Sequence, residues 1–173
     1  YEQCDYYSEL AGKNYADMFP DEKHFYLNNR GNSYYYRGDY STAIGYFRKV
    51  VELVKDYPDM SWALNLSYLN LSDCFLQLNK TDSVVKYLEL CQPFFEELGS
   101  TTALYYIDTQ KIELALQCKD FAEARRLLAM SKASPEIDAD MIHIRNKYLQ
   151  QFYEETGNYR QAYDYLKENK RLD

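Results

Sequence analysis

The chain has 173 residues, 46% of them apolar and 27% charged, with a net charge of -7. That balance excludes a disordered tail and a membrane bundle, and its acidity argues against binding nucleic acid or docking on an anionic membrane. The 20 tyrosines stand against only 6 glycines and 4 prolines, which argues against a loop-rich, sandwich or disulfide-stapled fold.

Helical periodicity and its punctuation predict nine helices in chain order: 2–18, 21–37, 40–56, 59–78, 81–97, 101–117, 120–131, 135–156 and 159–170. Pro20-Asp21 and Pro58-Asp59 open the second and fourth, and Gly99-Ser100 ends the fifth and caps the sixth. Ser134-Pro135 is the expected start of the eighth, with Pro in the first turn where its missing N–H is harmless. Asp39, Asp120 and Asn158 are expected to cap the helices after tight turns, with Thr81 in the same role for the fifth helix. Pro93 falls inside that fifth helix, where it removes the bond to the Glu89 carbonyl; a kink or an early break is expected there. No β signal competes with this reading.

Self-comparison finds a repeat. Gly38-Asp39-Tyr40 with Ala43, Tyr46 and Phe47 is matched by Gly157-Asn158-Tyr159 with Ala162, Tyr165 and Leu166. Lys119-Asp120-Phe121 with Ala124, Leu127 and Leu128 follows the same scheme, and Asn79 to Leu88, anchored on Val84, is a weaker copy. The anchors Ala43, Val84, Ala124 and Ala162 stand 41, 40 and 38 residues apart, and Cys4 lies 39 before the first. A period of about 40 residues is that of helical-hairpin solenoids. Tyr1 therefore falls within a repeat, and the chain is expected to be part of a longer protein with an apolar flank exposed on its end helices.

The pattern Gly-Asp/Asn-Tyr-x-x-Ala-x-x-Tyr/Leu-Phe/Leu resembles the tetratricopeptide repeat (TPR), in which an upstream helix carries a Leu-Gly pair and then an aromatic. Gly31 and Tyr34 match that part in the first full unit. Leu71, Ser72 and Phe75 stand there in the second, and Leu149, Gln150 and Tyr153 in the fourth. The third departs, with Lys111, Ile112 and Ala115. The resemblance implies an all-α, right-handed α-solenoid of about four and a half hairpins. It forms one domain over 1–173, with a half repeat at 1–18 and full repeats at 21–57, 58–99, 100–133 and 134–173. The long, tyrosine-rich hairpins are also similar to the TPR sensor regions of Bacteroidetes membrane-anchored regulators. That narrower likeness implies an extracytoplasmic (periplasmic) sensing domain, and the general one a cytoplasmic domain.

In the family the first helix of each pair lines a concave groove that holds a peptide or partner helix. By position that lining comprises Asn28, Asn32, Tyr35 and Tyr36, then Leu69, Asn70, Asp73 and Gln77, then Thr109, Gln110, Glu113 and Gln117, then Lys147, Gln151 and Glu154. Amides carry both donors and acceptors and can bond any peptide backbone; the alternative is that they form solvated helix faces. Asn32 and Asn70 match asparagines of the carboxylate-clamp subset. Asn28, Tyr106 and Gln110 stand where that clamp needs Lys and Arg, which argues against a clamp.

Tyr34 is expected in the hairpin core, with Tyr35 or Tyr36 open to stack on a ligand. Trp62 is expected to pack between repeats. Cys4, Cys74, Cys91 and Cys118 form no CxxC, and with His24 and His143 dispersed no metal or cofactor site is expected; buried free thiols are. No nucleophile–base pair or phosphate-cradling glycine loop appears, so no enzyme is expected. The expected function is protein or peptide interaction, as the sensing or scaffolding domain of a larger signalling protein. Its partner could be another domain of the same polypeptide. An assembly scaffold, self-associating through repeat ends, and a carbohydrate-binding helical protein are the alternatives.

Overall fold

The computed structural model describes residues 2–130 and 137–172. Among these residues there are nine α-helices and no strand: α1 (Glu2–Gly12), α2 (Pro20–Tyr36), α3 (Tyr40–Val54), α4 (Ser61–Gln77), α5 (Thr81–Leu98), α6 (Thr101–Gln117), α7 (Phe121–Met130), α8 (Ala139–Glu155) and α9 (Tyr159–Leu172). Single 3-10 turns lie at Tyr15–Asp17 and Pro58–Met60. Tyr1 and the start expected at Ser134-Pro135 lie outside the described residues, as does the Cys4 side chain.

Each hairpin turn is one device repeated. Gly38, Asn79, Lys119 and Gly157 all have positive φ, at 78°, 54°, 57° and 78°. The N–H of the next residue reaches back to a carbonyl five before it: Asp39 to Tyr34 at 3.0 Å, Lys80 to Phe75 at 2.9 Å, Asp120 to Ala115 at 2.8 Å and Asn158 to Tyr153 at 2.8 Å. This six-to-one bond satisfies carbonyls that a helix end leaves open. The following helix is capped at once. The side chain of Asp39 accepts from the Thr42 N–H at 3.1 Å, Asp120 from Glu123 at 3.0 Å and Asn158 from Gln161 at 3.4 Å. Thr81 is the first residue of α5 rather than its cap; the Lys80 carbonyl takes the N–H groups of Ser83 and Val84 instead.

The small anchors are buried as their spacing requires: Ala43, Val84 and Ala124 have no exposed surface and Ala162 has 3%. Beside them aromatics stack across the hairpins, Tyr34 on Tyr46 at 5.5 Å, Phe75 on Tyr87 at 5.7 Å and Tyr153 on Tyr165 at 5.8 Å, with interplanar angles of 12°, 5° and 4°. Such pairs contribute about 0.5–1.5 kcal/mol beyond the area they bury. In the third hairpin the equivalent positions hold Ala115 and Leu127, both buried in a cluster with Ile112, Leu116, Ala124 and Phe152.

The chain divides into two compact units, Tyr1–Phe94 and Phe95–Asp173, the division falling within α5 next to Pro93. In the first, α1 packs on α2, α2 on α3 and α3 on α4. In the second, α6 packs on α7, α8 on α9, and α8 also touches α6 and α7.

Several expectations are corrected. α5 runs through Pro93 without the early break. Val84, Leu88, Cys91 and Phe95, all buried, form one stripe that holds the helix on both sides of the proline, while Pro93 and Glu89 are exposed to water that can take up the freed carbonyl. α1 stops at Gly12 rather than 18: the N–H groups of Lys13 and Asn14 bond only three residues back, tightening the end into 3-10 geometry. α8 starts at Ala139, capped by the Asp138 carboxylate on the Met141 N–H at 2.8 Å. Trp62, in the first turn of α4, is half-exposed rather than enclosed between repeats. Cys74 and Cys91 are free, buried thiols, and burial pushes the Cys74 thiol up to about 12; Cys118 is exposed.

Candidate functional site

In the first unit α2 presents Asn28, Asn32 and Tyr35 at spacings of four and three, which place them on one face. Asn70 on α4 donates from its Nδ2 to the Asn28 Oδ1 at 3.2 Å, so two of the expected groove amides meet across neighbouring helices. Gln77 donates to Asp73 Oδ1 at 3.4 Å. Asn28, Asn32, Asn70 and Gln77 are half-buried and Asp73 is buried, a polar strip with its amides partly accessible.

The aromatics behave differently. Tyr35 packs its edge on Tyr40 and Tyr36 at 5.4 and 5.5 Å, joining the core around Ala43 and Phe47. Tyr36 is exposed and lines a cleft of about 670 Å³ with Tyr7, Ala11, Met18 and Tyr26, on the α1 side of α2. Leu69 is buried among the apolar positions of α4 and has no open face. At the edge of this unit Asp5 of α1 bridges Arg30 at 3.3 Å and Arg37 at 2.8 Å, and both guanidinium groups lie over the Tyr34 ring. The Arg37 and Arg30 hydrogen bonds hold the Asp5 carboxyl below its usual range.

In the second unit the expected lining separates by burial. Thr109 and Gln110 are interior, at 3% and 2% exposure. Glu113 accepts from the Tyr148 hydroxyl and from Gln117 at 3.3 Å. Gln117, Lys147, Gln151 and Glu154 are exposed; Gln151 donates to Glu155 at 2.7 Å, an ordinary surface pair one turn apart.

Thr109 is interior because it holds a residue that sequence reasoning missed. Arg145 on α8 is 5% exposed. Its Nε and Nη2 donate to Thr109 Oγ1 at 3.1 and 2.8 Å, and Nη2 also reaches the Tyr105 carbonyl at 2.9 Å. The guanidinium lies 3.5 Å from the centre of the Tyr105 ring. Burial pulls the Arg145 pKa down, opposed by Tyr105 and Asp108. The adjacent Asn146 is equally buried. A signal was present: Ile142, Leu149 and Phe152 form an apolar stripe on α8 into which Arg145 intrudes at a core position.

Arg145 and Asn146 line a cavity of about 510 Å³ with Arg125, Leu128, Ile142, Leu149, Phe152, Tyr153, Tyr165 and Glu168. No group of three or more His, Cys, Asp or Glu side chains suited to a metal occurs among the described residues. No helix there is long and apolar enough to cross a membrane.

Residues 24–57, which carry Gly31, the Gly38 turn and the Ala43 anchor, match the family model of the tetratricopeptide repeat. This segment is similar to the tetratricopeptide repeat. The crystal structure of BtubC (BKLC) from P. vanneervenii is similar in fold, with a TM-score of 0.68 and 18% identity, over 99% of this chain and 78% of that one. With that likeness the fold class is an all-α solenoid of TPR-like hairpins. No curated protein matches the chain in sequence. Repeats of this family generally mediate protein–protein interaction; Asn28 and Asn32 lie on the first helix of the matched segment, and Asn70 on α4 beyond it.

Proposed function

We propose that the chain is a non-catalytic interaction domain that binds an extended peptide or protein segment, as the sensing or scaffolding part of a larger signalling or regulatory protein. The observation that carries this reading is the half-buried amide strip of Asn28, Asn32 and Asn70 on the first helices of the first unit, within and beside the matched TPR. Amides side by side at this depth can take a peptide N–H and C=O without selecting its side chains, and each bond made there is partly shielded from water. The Asn28–Asn70 bond preorders the strip before a ligand arrives.

A randomised peptide library displayed on phage tests this directly. Peptides selected on the chain should lose at least about tenfold in affinity for the Asn32→Ala/Asn70→Ala variant, the loss of two hydrogen bonds. Equal affinity for both proteins would sink the reading.

Self-association is a second reading, favoured by one observation. Tyr6, Tyr7 and Leu10 on α1 and Tyr159, Tyr163 and Leu166 on α9 are exposed large apolar side chains. Sedimentation over a dilution series should then show a concentration-dependent dimer; a monomer throughout removes it.

A further inference from the structure

We infer that the second unit carries a ligand site of its own: the cavity among α6, α7, α8 and α9 takes a small apolar carboxylate, its head on Asn146 and the two arginines and its body on the aromatic wall. Its volume of about 510 Å³ falls within the roughly 300–1,000 Å³ of small-molecule sites. Leu128, Ile142, Leu149 and Phe152 supply an apolar lining, and the stacked rings of Tyr153 and Tyr165 supply a flat one. These groups suit an alkyl or aryl body.

The head group follows from the polar members. Buried donors are nearly always satisfied, yet the Asn146 Nδ2 is buried with no hydrogen-bond partner among the described residues. Asn146 lines the cavity at 5% exposure, so this unmet donor belongs to the cavity wall. Arg145 beside it is fixed by Thr109 and Tyr105, so its charge is already oriented before any ligand arrives. Arg125, at the exposed edge, sits over the Phe152 ring. Two guanidinium groups against the single carboxylate of Glu168 make the lining net positive, in a chain whose overall charge is -7. An acceptor that is planar, anionic and small matches this set: a carboxylate takes two N–H groups side by side.

The same chemistry comes from a free carboxylic acid or from the C-terminal residue of a peptide. The site shares no residue with the amide strip of the first unit, so its test is independent of that one.

The whole chain, labelled with nitrogen-15, is titrated with sodium 3-phenylpropionate and followed by NMR. Saturable shifts are expected at the Asn146 side-chain amide and the Arg145 Nε–H, with the neutral 3-phenylpropanamide at least about tenfold weaker. Asn146→Asp, of equal size but like charge to the ligand, should weaken binding by about tenfold or more while circular dichroism stays helical. Arg125→Gln, at an exposed position, should weaken it about threefold. A Gly-Gly-Phe peptide that binds more tightly than the free acid, and loses binding when amidated, assigns the source to a chain terminus; the reverse order assigns it to a free acid. No shift at Asn146 or Arg145 up to about 10 mM, equal binding of acid and amide, or unchanged binding by Asn146→Asp would each overturn the site.

Discussion

The hairpins α2–α3 and α6–α7 share a turn and differ in what fills them. Both close on a positive-φ residue, a six-to-one backbone bond and an aspartate cap. In α2–α3 a glycine, Gly31, lies against the large ring of Phe47, and Tyr34 stacks on Tyr46. A Cβ at Gly31 would come within 2.5 Å of that ring. In α6–α7 the position of Gly31 is taken by Ile112, fully buried, and the aromatic pair is replaced by Ala115 and Leu127. The backbone turn sets the repeat, while size is exchanged between facing positions so that each core is filled once. Close packing tolerates neither gaps nor excess, so a change of size at one of these positions has to be matched by its neighbours.

That comparison can be broken at several points, each read by equilibrium urea unfolding. Phe47→Ala should have the largest effect, about 3–5 kcal/mol, because it empties the space that Gly31 leaves to the ring. At the shared repeat position the two hairpins should demand opposite sizes. Ile112→Ala should lose about 2–4 kcal/mol by opening a cavity, and Gly31→Ala about 1–3 kcal/mol by overfilling one. If Gly31→Ala is neutral, the glycine is not there for Phe47.

The turns give smaller effects of opposite sign. Gly38→Ala should cost about 1 kcal/mol, since its φ of 78° is left-handed. Lys119→Gly should stabilise by about 0.5–1 kcal/mol, relieving a left-handed φ of 57° at the equivalent place. A destabilised Lys119→Gly would mean that its side chain matters more than its backbone.

The smallest expected effect is a pH dependence that arises at His24. Burial lowers the His24 pKa from its ordinary value, outweighing the opposing pull of the nearby Asp21. The folded state therefore favours the neutral ring. Stability is fully present above the unfolded value and is lost as pH falls through the lower folded one. His24→Gln should flatten that acid slope in thermal melts; an unchanged slope would exclude the histidine as its source.

The spacing of Ala43, Val84, Ala124 and Ala162, the four turns and the order of the nine helices among the described residues were legible in the chain, because each depends on local backbone chemistry and a 3.6-residue period. The expected amide strip was legible in part. Asn28 and Asn70 meet, but Leu69, Thr109 and Gln110 are interior, since helical position tells which face a residue is on and not what stands opposite it.

Pro93 and Arg145 mark what only the tertiary structure decided. Sequence rules put a kink or an early break at the proline, and the apolar stripe around the arginine does not name its partners. A buried stripe on α5 carries the helix past the first, and the Thr109 hydroxyl, a carbonyl and an aromatic face draw the second inside. Local rules describe a residue by its own propensities; the partners that override them come from helices that only folding brings alongside.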